Sequence, residues 1–92
     1  MSVERSFLNT SLLFSSEEFL KIRNSKVGII GLGGVGSWAA EALVRSGVNK
    51  IVLIDPDNIF ESNINRQSHA YQSTLGLPKV QATSNILSDI NP

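Results

Sequence analysis

Two short apolar runs and two spaced apolar series organise the chain. Lys26-Val27-Gly28-Ile29-Ile30-Gly31 is rich in β-branched residues and ends in glycine, and Lys50-Ile51-Val52-Leu53-Ile54-Asp55 repeats the theme. Unbroken runs of this length predict strands buried on both faces. Between them, Ser37 to Ser46 reads as a helix: Val35, Ala39, Ala42 and Leu43 fall on one stripe, and Gly47 is a natural stop. Pro56 to Gly76 is polar, with scattered apolar positions and no sustained period. A connection this long is commonly functional. Pro78 suits the first turn of a helix, and Val80, Thr83, Leu87 and Ile90 recur at helical spacing up to Asn91. Upstream, Ser15-Ser16-Glu17-Glu18 has the spacing of a capping box, predicting a helix from Ser16 to Arg23. Met1 to Phe14 reads as an extended or irregular arm. The chain thus divides into an N-terminal arm with a short helix, residues 1–25, and a second unit, residues 26–92.

Gly31-Leu32-Gly33-Gly34-Val35-Gly36 satisfies G-x-G-x-x-G directly after a strand and at the opening of a helix. In that setting Gly31 permits the tight turn, Gly33 lets a phosphate approach the backbone, and Gly36 lets the helix pack closely on the strand. The helix start adds unpaired N–H groups and partial positive charge. Asp55, 19 residues after Gly36 at the end of the next strand, can accept hydrogen bonds from ribose hydroxyls. The alternative is that the glycines only pack a helix on a strand. Helix, strand, helix, strand, long loop, helix implies an α/β fold with parallel strands and a crossover helix. Two strands are too few for a stable sheet. The expected fold is the N-terminal part of a Rossmann-like parallel sheet with flanking helices, an incomplete domain finished by further chain or by partner chains.

Composition narrows the partners. The chain has 92 residues, 41% hydrophobic and 17% charged, with eight basic residues against eight acidic ones. Zero net charge argues against a polybasic nucleic-acid arm but leaves room for local patches. The absence of cysteine removes a disulfide, a Cys-ligated zinc site and a thiol nucleophile within these residues. No apolar run approaches the roughly 18–20 residues of a membrane span, and the N-terminus lacks a signal-peptide core, so the expected location is the cytoplasm.

Spacing alone does not separate a nicotinamide cofactor from ATP. The loop after the second strand carries Asp55-Pro56-Asp57, Asn63-Ile64-Asn65-Arg66-Gln67 and then Lys79. A diphosphate can be held largely by backbone N–H groups, whereas Arg66 and Lys79 supply cations where a triphosphate's extra charge must be held. Asp57 and Asn63 offer oxygen groups near a possible magnesium ion. Against this stands the reading of a solvated polar loop, and Asp57 reads equally as part of a simple Pro-Asp turn. His69 could touch a nucleotide or tRNA but reads first as a local structural or capping group, Trp38 could stack on a base but reads first as packing at a helix start, and Glu41 could be a base but reads first as a surface or salt-bridge residue.

Taken together and in order, Gly31 to Gly36, Asp55-Pro56-Asp57, Asn63 to Gln67 and Pro78-Lys79 resemble the ubiquitin-activating-enzyme-like superfamily, whose members adenylate carboxylates. Gly36 to Gly47 and Asn63 to Ala70 look most like its tRNA threonylcarbamoyladenosine dehydratase branch. The resemblance implies that residues 26–92 form the first half of an ATP-binding adenylation domain. It places Gly34 beside the phosphates, Asp55 on the ribose, and Ser62, Asn63, Asn65 and Arg66 along the nucleotide, with Arg66 and Lys79 as the catalytic cations. It implies ATP and Mg²⁺ as cofactors, with the magnesium-holding acid expected beyond Pro92, and therefore an inactive 92-residue piece. It implies a homodimer and a tRNA substrate. The family's N-terminal arginine can reach a neighbouring subunit's site; Arg5 is the only arginine before the predicted first helix, and resembling members carry theirs near Leu12. Ser37 stands where some sulfur-carrier-activating relatives have cysteine. The alternatives are activation of a ubiquitin-like sulfur carrier, a nicotinamide-dependent oxidoreductase on the same loop, and a catalytically silent binding module.

Overall fold

The computed structural model of the chain describes residues 3–92. Its elements run α1 (Val3–Ser6), α2 (Leu8–Ser11), α3 (Ser16–Asn24), β1 (Lys26–Ile30), α4 (Gly34–Arg45), β2 (Lys50–Ile54) and α5 (Lys79–Ile90). Two 3-10 turns, Glu61–Asn63 and Gln72–Thr74, lie in the connection before α5.

β1 and β2 pair in parallel, from Lys26 opposite Lys50 to Ile30 opposite Ile54, and α4 is the crossover between them. Side chains alternate across a sheet. Val27, Ile29, Ile51 and Leu53 therefore share one face, where they meet Ala40, Leu43 and Val44 of α4 and Val80, Leu87 and Ile90 of α5. The opposite face carries Ile30 at 83% exposure, Val52 at 43% and Ile54 at 53%. The strands read as buried on both faces; within the described residues α4 and α5 lie together on one side and leave the other uncovered.

The buried side of α4 differs from the expected stripe. The helix starts three residues earlier, at Gly34, and its inward side is Ser37, Ala40 and Val44, with Val35 and Ala42 exposed. Gly36 sets this phase. A Cβ there would run into the carbonyl oxygen of Gly31 and touch Ile29 Cγ2 at 3.6 Å, so the helix rests its bare backbone on the end of β1. Ala40 and Val44, one and two turns on, follow the same line into the core.

The N-terminal segment is not an extended arm: from Val3 it forms the short helices α1 and α2, and Arg5 lies in α1. Phe7 is buried, with the Arg23 guanidinium 4.9 Å above its ring centroid. Such a pair contributes about 0.5–2 kcal/mol depending on desolvation. Arg23 Nη1 also donates to the Gly47 carbonyl at 2.8 Å, which ties α3 to the turn after α4. The predicted cap of α3 is present: Glu18 N–H donates to Ser15 Oγ at 3.1 Å, and Ser15 N–H to Glu18 Oε1 at 2.9 Å.

The connection from Pro56 to Gly76 is closed rather than open. Asn58 and Pro78 form an antiparallel bridge. Ile59 N–H donates to Leu77 O, Gly76 N–H to Ile59 O and Lys79 N–H to Asp57 O, each at 2.9 Å. Inside this closed loop Ile59 and Ala70 meet Ala82 of α5 and Leu75 in a second small core. Its apolar residues show no period because no regular element carries them.

Candidate nucleotide-binding site

The chain leaves β1 through Gly31, whose φ of +92° lies in the left-handed region that side chains disfavour. Gly31 N–H still donates to Ile54 O at 2.8 Å, which carries the strand pairing one residue further. Leu32 is fully buried and its backbone is held from two sides. Its N–H donates to Asp55 Oδ2 at 2.7 Å, and its carbonyl accepts from His69 Nε2 at 2.8 Å. Gly33 caps α4 without a side chain, and a Cβ placed there would meet nothing within 4 Å. The space beside Gly33 is therefore open at a helix start, where unpaired amides and partial positive charge suit a phosphate.

Asp55 sits where β2 ends. Oδ2 takes the Leu32 N–H and Oδ1 takes the Asp57 N–H at 2.8 Å, so the carboxylate joins the glycine loop to the turn that follows β2. Each oxygen keeps a second lone pair for a ribose hydroxyl. Burial pushes the Asp55 carboxyl up. The hydrogen bonds from Leu32 and Asp57, helped by the charge of Lys79, more than reverse this and hold it below the ordinary aspartate value. Asp55 is therefore an anion at neutral pH.

The closed connection delivers both cations. Lys79 is the first residue of α5 and is buried, and its ammonium is among the charges acting on Asp55. Arg66 lies against the start of α4: a Cβ at Gly34 would stand 3.6 Å from Arg66 Cγ and Cδ. Arg66 Nη1 donates to Ser62 O and to Asn65 Oδ1, both at 3.0 Å, and the Arg66 carbonyl accepts from Trp38 Nε1 at 2.8 Å. Trp38, read from sequence as packing, is 54% exposed and works through this bond. Asn63 is buried and its Oδ1 accepts the Phe60 N–H at 2.8 Å, which holds the turn at Glu61–Asn63.

Gly31 to Gly36, Asp55, Asp57, Arg66 and Lys79 thus gather at one end of the sheet, with Ser62 and Asn65 attached through Arg66. Sequence reasoning missed the contact roles of Trp38 and His69, and of Ser37, which is buried and whose Oγ accepts the Ser68 N–H at 3.1 Å. Ser37 and Trp38 adjoin the glycine loop in sequence, the one signal that could have flagged them. Glu41 pairs with Arg45 at 3.8 Å, as a surface residue of a helix should. Among the described residues no group of three or more His, Cys, Asp or Glu could hold a metal ion, and no helix is long and apolar enough to cross a membrane. Magnesium accompanying a triphosphate takes one or two carboxylates and keeps several waters. Asp57 offers an exposed carboxylate, which alone does not make a magnesium site.

The ThiF family model matches residues 7–92. Over 86 residues the chain is 48% identical to the tRNA threonylcarbamoyladenosine dehydratase of Bacillus subtilis, covering 94% of this chain and 34% of that protein. It is 40% identical over 79 residues to the molybdopterin-synthase adenylyltransferase of Escherichia coli, covering 86% of this chain and 31% of the other. The crystal structure of E. coli tRNA N6-threonylcarbamoyladenosine dehydratase in complex with ATP matches with a TM-score of 0.94 at 38% identity, over 97% of this chain and 37% of that one. The chain spans about a third of the length of these two relatives. The two parallel strands and flanking helices correspond to the N-terminal part of this Rossmann-like fold. The family match takes in the glycine loop, Asp55, the closed connection and Lys79 as one unit, and the chain belongs to the ThiF family.

Proposed function

We propose that this chain is the nucleotide-binding first half of an enzyme that adenylates a carboxylate with ATP, and that the carboxylate belongs to threonylcarbamoyladenosine at position 37 of tRNA. The observation that carries this reading is the convergence of Arg66 and Lys79 on the glycine loop and Asp55. The amides at the start of α4 suffice for a diphosphate. Two added cations suit three linked phosphates and the release of pyrophosphate. In this reading the amides near Gly33 and Gly34 bind phosphate oxygens, Asp55 orients the ribose, and Arg66 and Lys79 stabilise the charge that develops as the bond to pyrophosphate breaks. Magnesium neutralises part of the phosphate charge when bound.

The substrate carboxylate is a poor electrophile. Its oxygen attacks the α-phosphorus of ATP, the bond to the β-phosphate oxygen breaks, and an acyl-adenylate and pyrophosphate result. A nitrogen of the same modification then attacks the activated carbonyl carbon, loses its proton, and AMP leaves with the former carboxylate oxygen. The net change in the nucleoside is loss of water. Holding both groups in one modification makes the ring closure effectively unimolecular. The similarity to dehydratases of B. subtilis and E. coli supports the tRNA substrate. A cytoplasmic homodimer is part of the same proposal. The similarity to an adenylyltransferase of molybdopterin synthase supports a second reading of the same chemistry, with a ubiquitin-like sulfur carrier as substrate.

Mass spectrometry of tRNA nucleosides separates the two. Cells lacking the gene should lose the cyclised nucleoside and accumulate the open threonylcarbamoyladenosine. An unchanged cyclised pool moves the function to the sulfur-carrier reading.

A further inference from the structure

We infer that His69 is a positioning residue of the nucleotide site, which aims the amide of Gly33 at the bound phosphate by holding the carbonyl of Leu32. The inference rests on the nucleotide-binding reading above and adds to it a residue that neither the glycine motif nor the paired cations require.

His69 is fully buried, and its Nε2 lies 2.8 Å from the carbonyl oxygen of a residue 37 positions away. A carbonyl only accepts, so Nε2 carries the proton and donates. That leaves Nδ1 buried and without a hydrogen-bond partner among the described residues. An unpaired polar atom in the interior carries a free-energy cost. An apolar side chain of similar size would fill the space without it, so the bond through Nε2 is the feature that sets this imidazole apart from plain filling.

The target of the bond explains what it does. The peptide group is planar and trans, so a carbonyl and the N–H of the next residue point in opposite directions. Leu32 O belongs to the peptide plane whose N–H is that of Gly33. Drawing the oxygen inward to the buried His69 turns the Gly33 N–H the opposite way, and the space beside Gly33 that a Cβ would enter is empty. Asp55 fixes the preceding plane by taking the Leu32 N–H. The following plane, between Gly33 and Gly34, is held by α4 itself, where Ser37 N–H donates to Gly33 O at 3.0 Å; the two planes around Leu32 lie beside glycines, which adopt either sign of φ at little cost. Two side chains, one from the end of β2 and one from the closed connection, lock both planes around Leu32. His69 is itself anchored, because Thr74 Oγ1 donates to its carbonyl at 2.6 Å. The connection that brings Arg66 to the phosphates therefore also presets an amide that meets them.

The test compares His69→Leu and His69→Gln in the full-length protein by calorimetry with Mg·ATP, alongside thermal unfolding and the separate kcat and KM for ATP. The glutamine amide can donate to the Leu32 carbonyl and leucine cannot. His69→Leu should bind ATP about ten-fold more weakly and raise its KM, while His69→Gln should return to within about three-fold of the original protein, as expected for one lost and restored hydrogen bond to a charged ligand's cradle. Leucine binding as tightly as histidine, or glutamine binding as weakly as leucine, overturns the inference, whatever happens to the melting temperature. Should the leucine protein fail to fold, ¹⁵N spectra of the unaltered protein decide: a proton on Nε2 of His69 supports the role, and a bare Nε2 ends it. If the unaltered protein binds NAD and not Mg·ATP, the adenylation reading fails, and the same affinity ratios measured with NAD still settle the role of His69.

Discussion

Replacing Arg66 with Ala, or Lys79 with Met, is expected to lower kcat/KM for ATP in the full-length enzyme by about 10²–10³-fold, the usual loss when one preorganised charge-stabilising group is removed. Neither change should unfold the protein. The Arg66 side chain is exposed and its two hydrogen bonds go to its own loop, so its removal falls among surface changes worth about 0.5 kcal/mol or less. The Trp38 contact survives because it uses the Arg66 backbone carbonyl. Methionine at position 79 keeps the apolar stem that α5 buries and removes only the charge. Arg66→Lys should recover part of the loss, since a point charge replaces some of the guanidinium's attraction but not its planar fork. Pyrophosphate release under saturating substrate, with thermal unfolding run in parallel, reads both effects. Near-normal turnover in both proteins removes these residues from the chemistry.

The second large effect separates two glycines three residues apart. Gly36→Ala drives a methyl group into the Gly31 carbonyl, where backbone meets backbone and no side chain can yield. α4 must then lift from β1, and Ala40 and Val44 lose their seats in the core. The cost should reach about 3 kcal/mol or more, a large part of the roughly 5–15 kcal/mol that holds a domain together. Gly33→Ala behaves in the opposite way. Gly33 has φ −79° and ψ −154°, which other residues adopt, and its Cβ meets nothing within the protein. Its stability should hold within about 0.5 kcal/mol. The methyl then occupies the space a phosphate needs, and nucleotide affinity should drop by more than about ten-fold, the equivalent of 1.4 kcal/mol. Thermal unfolding and nucleotide titration of the pair distinguish a structural from a binding glycine; equal melting temperatures would show that α4 does not rest on Gly36.

These contrasts show where sequence reasoning reached and where it stopped. The strands, the capped helix at Ser16, the glycine turn and Asp55 follow from local rules: β-branched runs, a cap spacing and a motif with fixed context. The phase of α4 did not, because it is set by a contact between Gly36 and Gly31 that hydrophobicity cannot register. Val35 and Ala42 are apolar yet exposed, while Ser37 is polar yet buried. The connection after β2 hid its order for a related reason. Ile59, Ala70 and Leu75 build its core at irregular intervals, and the hydrogen bonds that close it, Lys79 to Asp57 among them, join backbone groups whose side chains carry no signal. Arg66 and Lys79 stood out as cations in a polar stretch, but only the closed loop explains how two residues 13 positions apart come near the glycine turn and Asp55. The short helix α2 has no side-chain cap, and Phe7, buried beneath Arg23, precedes it instead of lying on a helical stripe.

Adenylation by this chain requires a site that grips three linked phosphates. Isothermal titration of the full-length protein with Mg·ATP and, separately, with NAD addresses that directly. Mg·ATP should bind, its affinity weakened by Arg66→Ala and by Lys79→Met, while NAD shows no heat beyond dilution. Tight binding of NAD that is indifferent to both substitutions, with no binding of Mg·ATP, would contradict the account.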